Sequence, residues 1–394
     1  MSLPAEEYRI EALEGSKSLE AIRDLWHQWQ FHPNADFDFF ATVVESRSSV
    51  VCPITMVLYN KDAPVALTVG RLEKTQLPST FGYLKILNSS LLQYSIVYGG
   101  LMGAWDEKGA AVLIEYLRQW IKTDRIDAVY FSPMKKEHPV YQAALHSAPF
   151  FLRHIPLNDN FHWWAEVADT PDLLKSKVNK RDRKKERQLT DYSHGEVEFK
   201  IFQTPEEVPE FCSIAESISQ TTYLRGLGAG FYDNQEMRNR LELTSQKGWM
   251  CGFVLYANQK PCAFQLGTLY QGVLYLDYTG YNADLHLYSP GRILFVKMLE
   301  HLCNTHAVRG IDFGFGDAEF KRRYADRNWK ESDLYLFNQT STLLLTNLVR
   351  KSVTMVHVTA ENALNRSNLL AIVKKRWRHS VQKSDPISAR ADKN

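Results

Sequence analysis

The chain has 394 residues, and its 47 Lys and Arg against 45 Asp and Glu leave a net charge of +2. One hydrophobic core stops growing at roughly 250–300 residues, so this length implies about two domains. A 44% hydrophobic and 23% charged composition excludes a disordered or collagen-like chain.

The amino terminus, MSLPAEEYRI, has no basic stretch followed by an apolar one, so no secretory leader is expected. The five cysteines are scattered without a C-x-x-C pair and read as reduced core fillers, which points to the cytoplasm. The net charge hides an asymmetry: residues 1–170 sum to −5 and residues 171–394 to +7.

The two halves share a plan. Pro64, Ala66, Gly70 and Leu72 are matched by Pro261, Ala263, Gly267 and Leu269 at an offset of 197, and Tyr98 and Gly100 by Tyr278 and Gly280 at an offset of 180. Each set precedes a helix-like run and then a strand-like one, DAVYFSP at 127–133 and GIDFGFG at 310–316. Ordered matches of this kind indicate a duplicated α/β unit.

Between the halves, eight basic and two acidic residues from Lys175 to Arg187 predict a bridging helix over 171–190. A solvated face is the ordinary reading of such a run; a grip on an anionic substrate, carrier or RNA is the functional one. Thr204-Pro205-Glu206-Glu207 is a helix start with a carboxylate three residues after the cap. Glycines 226, 228 and 230 in the Tyr223–Asp233 loop suggest a mobile lid. Alternation predicts strands at Trp249–Tyr256, Ala263–Tyr270 and Val273–Thr279. Ser289-Pro290-Gly291 caps a helix, Gly310–Gly316 is a strand, Asp317 caps a short helix to about Tyr324, and Asp333–Asn338 is the last strand. Residues 341–380 read as a helical extension that either docks on the second unit or lies on an anionic membrane, docking being favoured; 381–394 read as a disordered tail.

The element order, with the stretch Y-T-G-Y…S-P-G-R…I-D-F-G-F-G-D-A-E-F-K-R-R-Y at 278–324, resembles the FemAB-like, CelD/BioF2-type acetyltransferases of the GNAT superfamily. The resemblance implies an α/β fold of two tandem GNAT-like units, each a mixed central sheet flanked by helices. It implies a degenerate first unit at 1–170, with Tyr130-Phe131-Ser132-Pro133 where the second has its glycine motif, and an acyltransferase unit at 191–340. It also implies transfer of an acyl group from acyl-CoA, acetyl-CoA first among them, or another thioester to an amine of a small molecule or cell-envelope or polysaccharide precursor, without a metal. A FemX-like aminoacyl-tRNA-dependent ligase and a catalytically silent scaffold remain alternatives. Acyl carrier protein and tRNA are the macromolecular partners this admits, with peripheral contact at the inner membrane face and no DNA.

Ser289, Gly291 and Arg292 stand at a helix N-terminus, where unpaired N–H groups attract a diphosphate, and Tyr278 joins them as a cofactor contact. The loop has one glycine where the GNAT pattern has more. Asp312 and Asp277 are the base candidates, Tyr324 the acid for the leaving thiolate, and Lys321, placed on the same helical face as Tyr324, the group that steadies negative charge. Gly314, Gly316, Asp317, Arg181 and Lys184 are the candidate substrate contacts. His301, Cys303 and His306 do not share a helical face, so no metal site is read there.

Overall fold

A computed structural model describes residues 8–81, 84–123, 126–156, 160–167, 171–226, 228–305, 308–340, 343–345, 347–352 and 355–356. These fall into two compact units, one holding the chain up to residue 161 together with 329–356, the other holding 162–328.

The first unit opens with β1 (Tyr8–Glu14), followed by three helices, α1 (Ser16–Glu20), α2 (Arg23–Trp29) and α3 (Phe37–Ser46). A meander of β2 (Val50–Asn60), β3 (Ala63–Phe81) and β4 (Leu84–Gly103) leads to α4 (Glu107–Lys122), β5 (Ala128–Lys135), α5 (Pro139–Ser147) and the short β6 (Arg153–His154). The second unit runs through β7 (Asn160–Glu166), α6 (Pro171–Ser176), α7 (Lys180–Tyr192), β8 (Val197–Phe202), α8 (Val208–Ser219), α9 (Tyr223–Gly226) and α10 (Gln235–Gln246). It continues with β9 (Met250–Ala257), β10 (Lys260–Tyr270), β11 (Val273–Tyr281), α11 (Pro290–Thr305), β12 (Gly310–Phe315) and α12 (Glu319–Tyr324), after which β13 (Arg327–Phe337) returns to the first unit.

The sheets have one topology. In the first unit the order is β1-β2-β3-β4-β5-β13, with β6 also on β13; in the second it is β8-β9-β10-β11-β12-β7. In both, a three-stranded meander crosses through one helix, α4 or α11, to a parallel strand, as the residue offsets require. The crossing points are residues 161–162 and 328–329, so the strand beginning at Asn160 opens the second unit and the last strand completes the first.

The basic segment is two helices rather than one. Asn179 interrupts it: its side chain accepts from Arg181 N and Asp182 N, while Asp182 accepts from Asn179 N, a full capping box that starts α7 afresh. Both helices belong to the second unit, where Lys175 donates to Asn304 at 2.7 Å and Arg183 to Glu300 at 2.5 Å, both partners on α11. The start at Thr204 begins as a 3₁₀ turn, Pro205–Glu207, that runs into α8. The carboxyl-terminal helix docks on the first unit, with Leu343 buried against Leu77, Leu91 and Phe337. The basic run at 374–378 and the tail 381–394 lie outside the described residues.

Candidate active site

The parallel strands β11 and β12 pair only through Val273–Tyr275 and Gly310–Asp312. Beyond that register β11 runs on to Tyr281 and β12 to Phe315 without pairing to each other, which leaves the edge of β11 to bond something else. A second irregularity lies on the other edge of β11: Leu266 faces Tyr278 while Gly267 faces Leu276, so Asp277 is the extra residue of a bulge. Bulges re-aim side chains, and here Asp277, Thr279 and Tyr281 are exposed on one face.

A cavity of about 420 Å³ opens along this strand. Thr279, Gly280 and Tyr281 of β11 form one wall, Ser289, Gly291, Arg292 and Phe295 another, and Glu319, Phe320, Arg323 and Tyr324 of α12 a third, with Thr221, Thr222 and Gln265 closing it. Phe295 packs on Tyr324 at 4.9 Å and on Phe320 at 5.4 Å between ring centroids, an apolar floor below the polar helix end. Ser289 sits in the left-handed conformation (φ 56°), and its carbonyl accepts from Arg292 N and Ile293 N to begin α11.

Of the cofactor candidates, Ser289, Gly291 and Arg292 line the cavity. Tyr278 does not: alternation turns it to the opposite face of β11, where its ring meets Phe231 at 5.8 Å, and Tyr281 takes the place at the wall. Arg292 is not simply a free anion-binding cation, because its Nε donates to Asp182 of α7. Asp182 is 3% exposed and also meets Arg323 Nη1 at 3.4 Å and Tyr324 Oη at 3.5 Å. This carboxylate organises three cavity residues, and sequence reasoning counted it only as an acid inside a basic run. The spacing Asn179-x-x-Asp182, a capping pair, was the available signal.

Tyr324 is 1% exposed, and burial together with the Asp182 carboxylate raises its pKa. It therefore keeps its proton until a stronger base forms beside it, as a general acid must. Lys321 is not on the cavity face with Tyr324. Its Nζ donates to the Phe315 carbonyl, and burial pushes its pKa down to about 8 against the pull of Asp312 and Asp317.

Asp312 is 7% exposed and held on one oxygen by His162 Nε2 and by Gly314 N, each at 2.7 Å. His162, not singled out in the sequence, is buried on β7 against Phe315 at 4.9 Å. Asp277 accepts from Thr268 Oγ1 at 2.8 Å; it is reached by solvent, yet desolvation still raises its pKa above the usual carboxylate range, with Arg240 opposing. A raised carboxylate pKa suits a base working near neutrality better than a fully solvated one.

Gly314 (φ 64°) and Gly316 (φ 91°) have open space where a Cβ would stand, so the backbone conformation, not a close approach, demands glycine. Gly316→Ala is expected to cost about 1 kcal/mol, read from the urea midpoint; an unchanged midpoint would show the turn relaxes freely. Asp317 does not cap α12, whose N-cap is Ala318; it pairs with Arg322 on the surface. Arg181 and Lys184 are exposed on the outer face of α7 and do not line the cavity. The glycine-rich loop is pinned: Arg225 pairs with Glu216 at 2.7 Å, donates to the Phe231 carbonyl at 2.5 Å and lies over Tyr232. Among the described residues no cluster of His, Cys, Asp and Glu fits a metal ion.

The equivalent helix end in the first unit differs. Asp106 caps α4, accepting from Gly109 N at 2.7 Å and Tyr8 Oη at 2.6 Å, and Glu107 follows it. Two carboxylates there disfavour an anion at this helix end.

Residues 176–322 match the acetyltransferase (GNAT) domain family. Among solved structures, FemX is similar over 86% of this chain and 100% of its own, with TM-score 0.54 and 12% identity. A tandem GNAT protein from the clavulanic acid biosynthesis pathway is similar over 84% and 100%, with TM-score 0.51 and 10% identity. At such identities the likeness is one of fold. No curated protein sequence matches the chain.

Proposed function

We propose that the second unit, whose residues 176–322 match the acetyltransferase (GNAT) domain family, moves an acyl group from acyl-CoA to an amine of a small-molecule or envelope precursor. One observation carries the reading: the splayed β11 edge, the N-terminus of α11 and Tyr324 all border one cavity.

In this reading the diphosphate lies at Ser289–Arg292, where helix N–H groups and the dipole favour it. The apolar arm of the donor runs over Phe295 and Phe320, its amides bonding the free edge of β11. Asp277 takes the proton from the attacking amine, Asp312 being tied to His162 and Gly314. Tyr324 protonates the departing thiolate, and the Lys321 ammonium steadies negative charge near Asp312.

Calorimetry with acetyl-CoA and longer acyl-CoAs tests the donor. Binding is expected, and Gly291→Phe, which puts bulk beside the Tyr281 ring, should remove it; absence of heat with every acyl-CoA would overturn the assignment. The Lys321 role has its own sign. A lysine with a pKa of about 8 is cationic below that pH and neutral above it, so kcat/KM should fall as pH rises through that value. Lys321→Arg should move that limb to higher pH, and a limb unchanged in the variant would dismiss the role.

A second reading, an aminoacyl-tRNA-dependent ligase, is favoured by one feature. Lys180, Arg181, Lys184 and Arg187 are exposed along one face of α7 and have no ion pair among the described residues. Salt-sensitive tRNA binding that disappears when these four are neutralised would favour it; no binding at low salt eliminates it.

A further inference from the structure

Gln265 of β10 lines the cavity, is 7% exposed, and takes no part in diphosphate binding or proton transfer. Its Nε2 donates to the Tyr278 carbonyl at 3.1 Å and to the Leu266 carbonyl at 3.4 Å, beside the bulge at Asp277. The reverse orientation would set an oxygen against two carbonyl oxygens, so these bonds fix which way the amide points. They account for the nitrogen alone. The oxygen, Oε1, has no partner among the described residues and is not sealed from the surface, and the space it opens on is the cavity. Its neighbours offer nothing to satisfy it. Thr221 and Thr222 donate their hydroxyl hydrogens to the Ile218 and Ser219 carbonyls at 2.8 Å, and Thr279 turns its own to the Phe264 carbonyl at 3.4 Å. These four side chains accept hydrogen bonds and have none to give.

Register places Gln265 along the cavity. It faces Thr279, two residues and about 7 Å along β11 from Tyr281, whose ring lies beside Gly291 of α11. The step from Tyr281 to Thr279 leads away from the helix end and toward Tyr275 and Asp312, where β11 and β12 close together. A donor whose diphosphate sits at α11 and whose arm follows the β11 edge therefore brings its acyl end to Gln265. An unsubstituted alkyl end would cover Oε1 and leave a buried acceptor unbonded, a penalty that an O–H or N–H on the acyl group removes.

We infer that Gln265 selects an acyl group bearing a hydroxyl or amino substituent. The inference rests on the acyl-CoA reading and narrows its donor. Calorimetry on the full chain with two isosteric series tests it: propionyl-, glycolyl- and glycyl-CoA, and butyryl-, β-hydroxypropionyl- and β-alanyl-CoA. A substituted member of one series should bind about tenfold tighter than its alkyl counterpart, the worth of one hydrogen bond. Tighter hydroxyacyl binding names a hydroxy acid as the group transferred, and tighter aminoacyl binding an amino acid. Gln265→Leu should erase the difference. Alkyl members that bind as tightly as the substituted ones overturn the inference and leave the acyl-CoA reading standing, whereas no binding by any member overturns both. A difference that survives in Gln265→Leu places the selection on another group and also overturns the inference. The comparison in the parent needs no variant, so it decides the matter even where Gln265→Leu fails to fold.

Discussion

Replacing Asp182 with alanine is expected to cost about 3 kcal/mol of stability, because removing one partner of a buried ion pair leaves the other uncompensated. Asp182 is 3% exposed and is the counter-charge for Arg292 and, at 3.4 Å, for Arg323. Without it two guanidinium groups face each other beside the Tyr324 hydroxyl. The α7 capping box is lost as well, since the Asn179 N–H donates to the same carboxylate at 2.9 Å. Glu186→Ala is the internal control: its pairs with Lys297 at 2.7 Å and Arg183 at 3.4 Å are part-exposed, and such pairs contribute about 1 kcal/mol or less. Urea unfolding of both variants separates the cases. If Asp182→Ala unfolds no earlier than Glu186→Ala, the carboxylate does not hold the site together.

The second large effect is on rate. Tyr324→Phe is expected to lower kcat about 100-fold at neutral pH with KM nearly unchanged, the loss that follows removal of a general acid. The fold should survive, since the hydroxyl lies at 3.5 Å from Asp182, a weak contact, while the ring keeps its packing on Phe295. An acyl donor with a thiol leaving group of low pKa should restore much of the loss, because a good leaving group does not need the proton. Parent-like kcat in Tyr324→Phe, or no rescue by the better leaving group, would assign the proton to another group.

Local order in the second unit was legible in the sequence. The alternation at 249–279 and the caps at Thr204 and Ser289 gave β9, β10, β11, the start of α8 and the start of α11 within a few residues, because backbone preference is set by near neighbours. The offsets of 197 and 180 residues also located the shared meander, since a duplicated unit keeps its turn residues where β3 and β10 begin. β8 and α10 were missed: Val197–Phe202 is short with mixed polarity, and Gln235–Gln246 is mostly polar, so neither has a strong period.

By itself the sequence determined, from its length, about two domains, from its ordered residue matches, a duplicated α/β unit, and from its charge count, an excess of cations in the second half. The tertiary structure alone decided that the chain crosses between units twice, so that β7 and β13 complete sheets to which the neighbouring sequence does not belong. It alone turned Tyr278 inward and Tyr281 outward, and joined Asp182 to Arg292 across 110 residues and His162 to Asp312 across 150. The reason is physical: periodicity and capping report energies shared within a turn or two of chain, whereas a buried carboxylate finds its partner by desolvation, which depends only on what the fold brings against it.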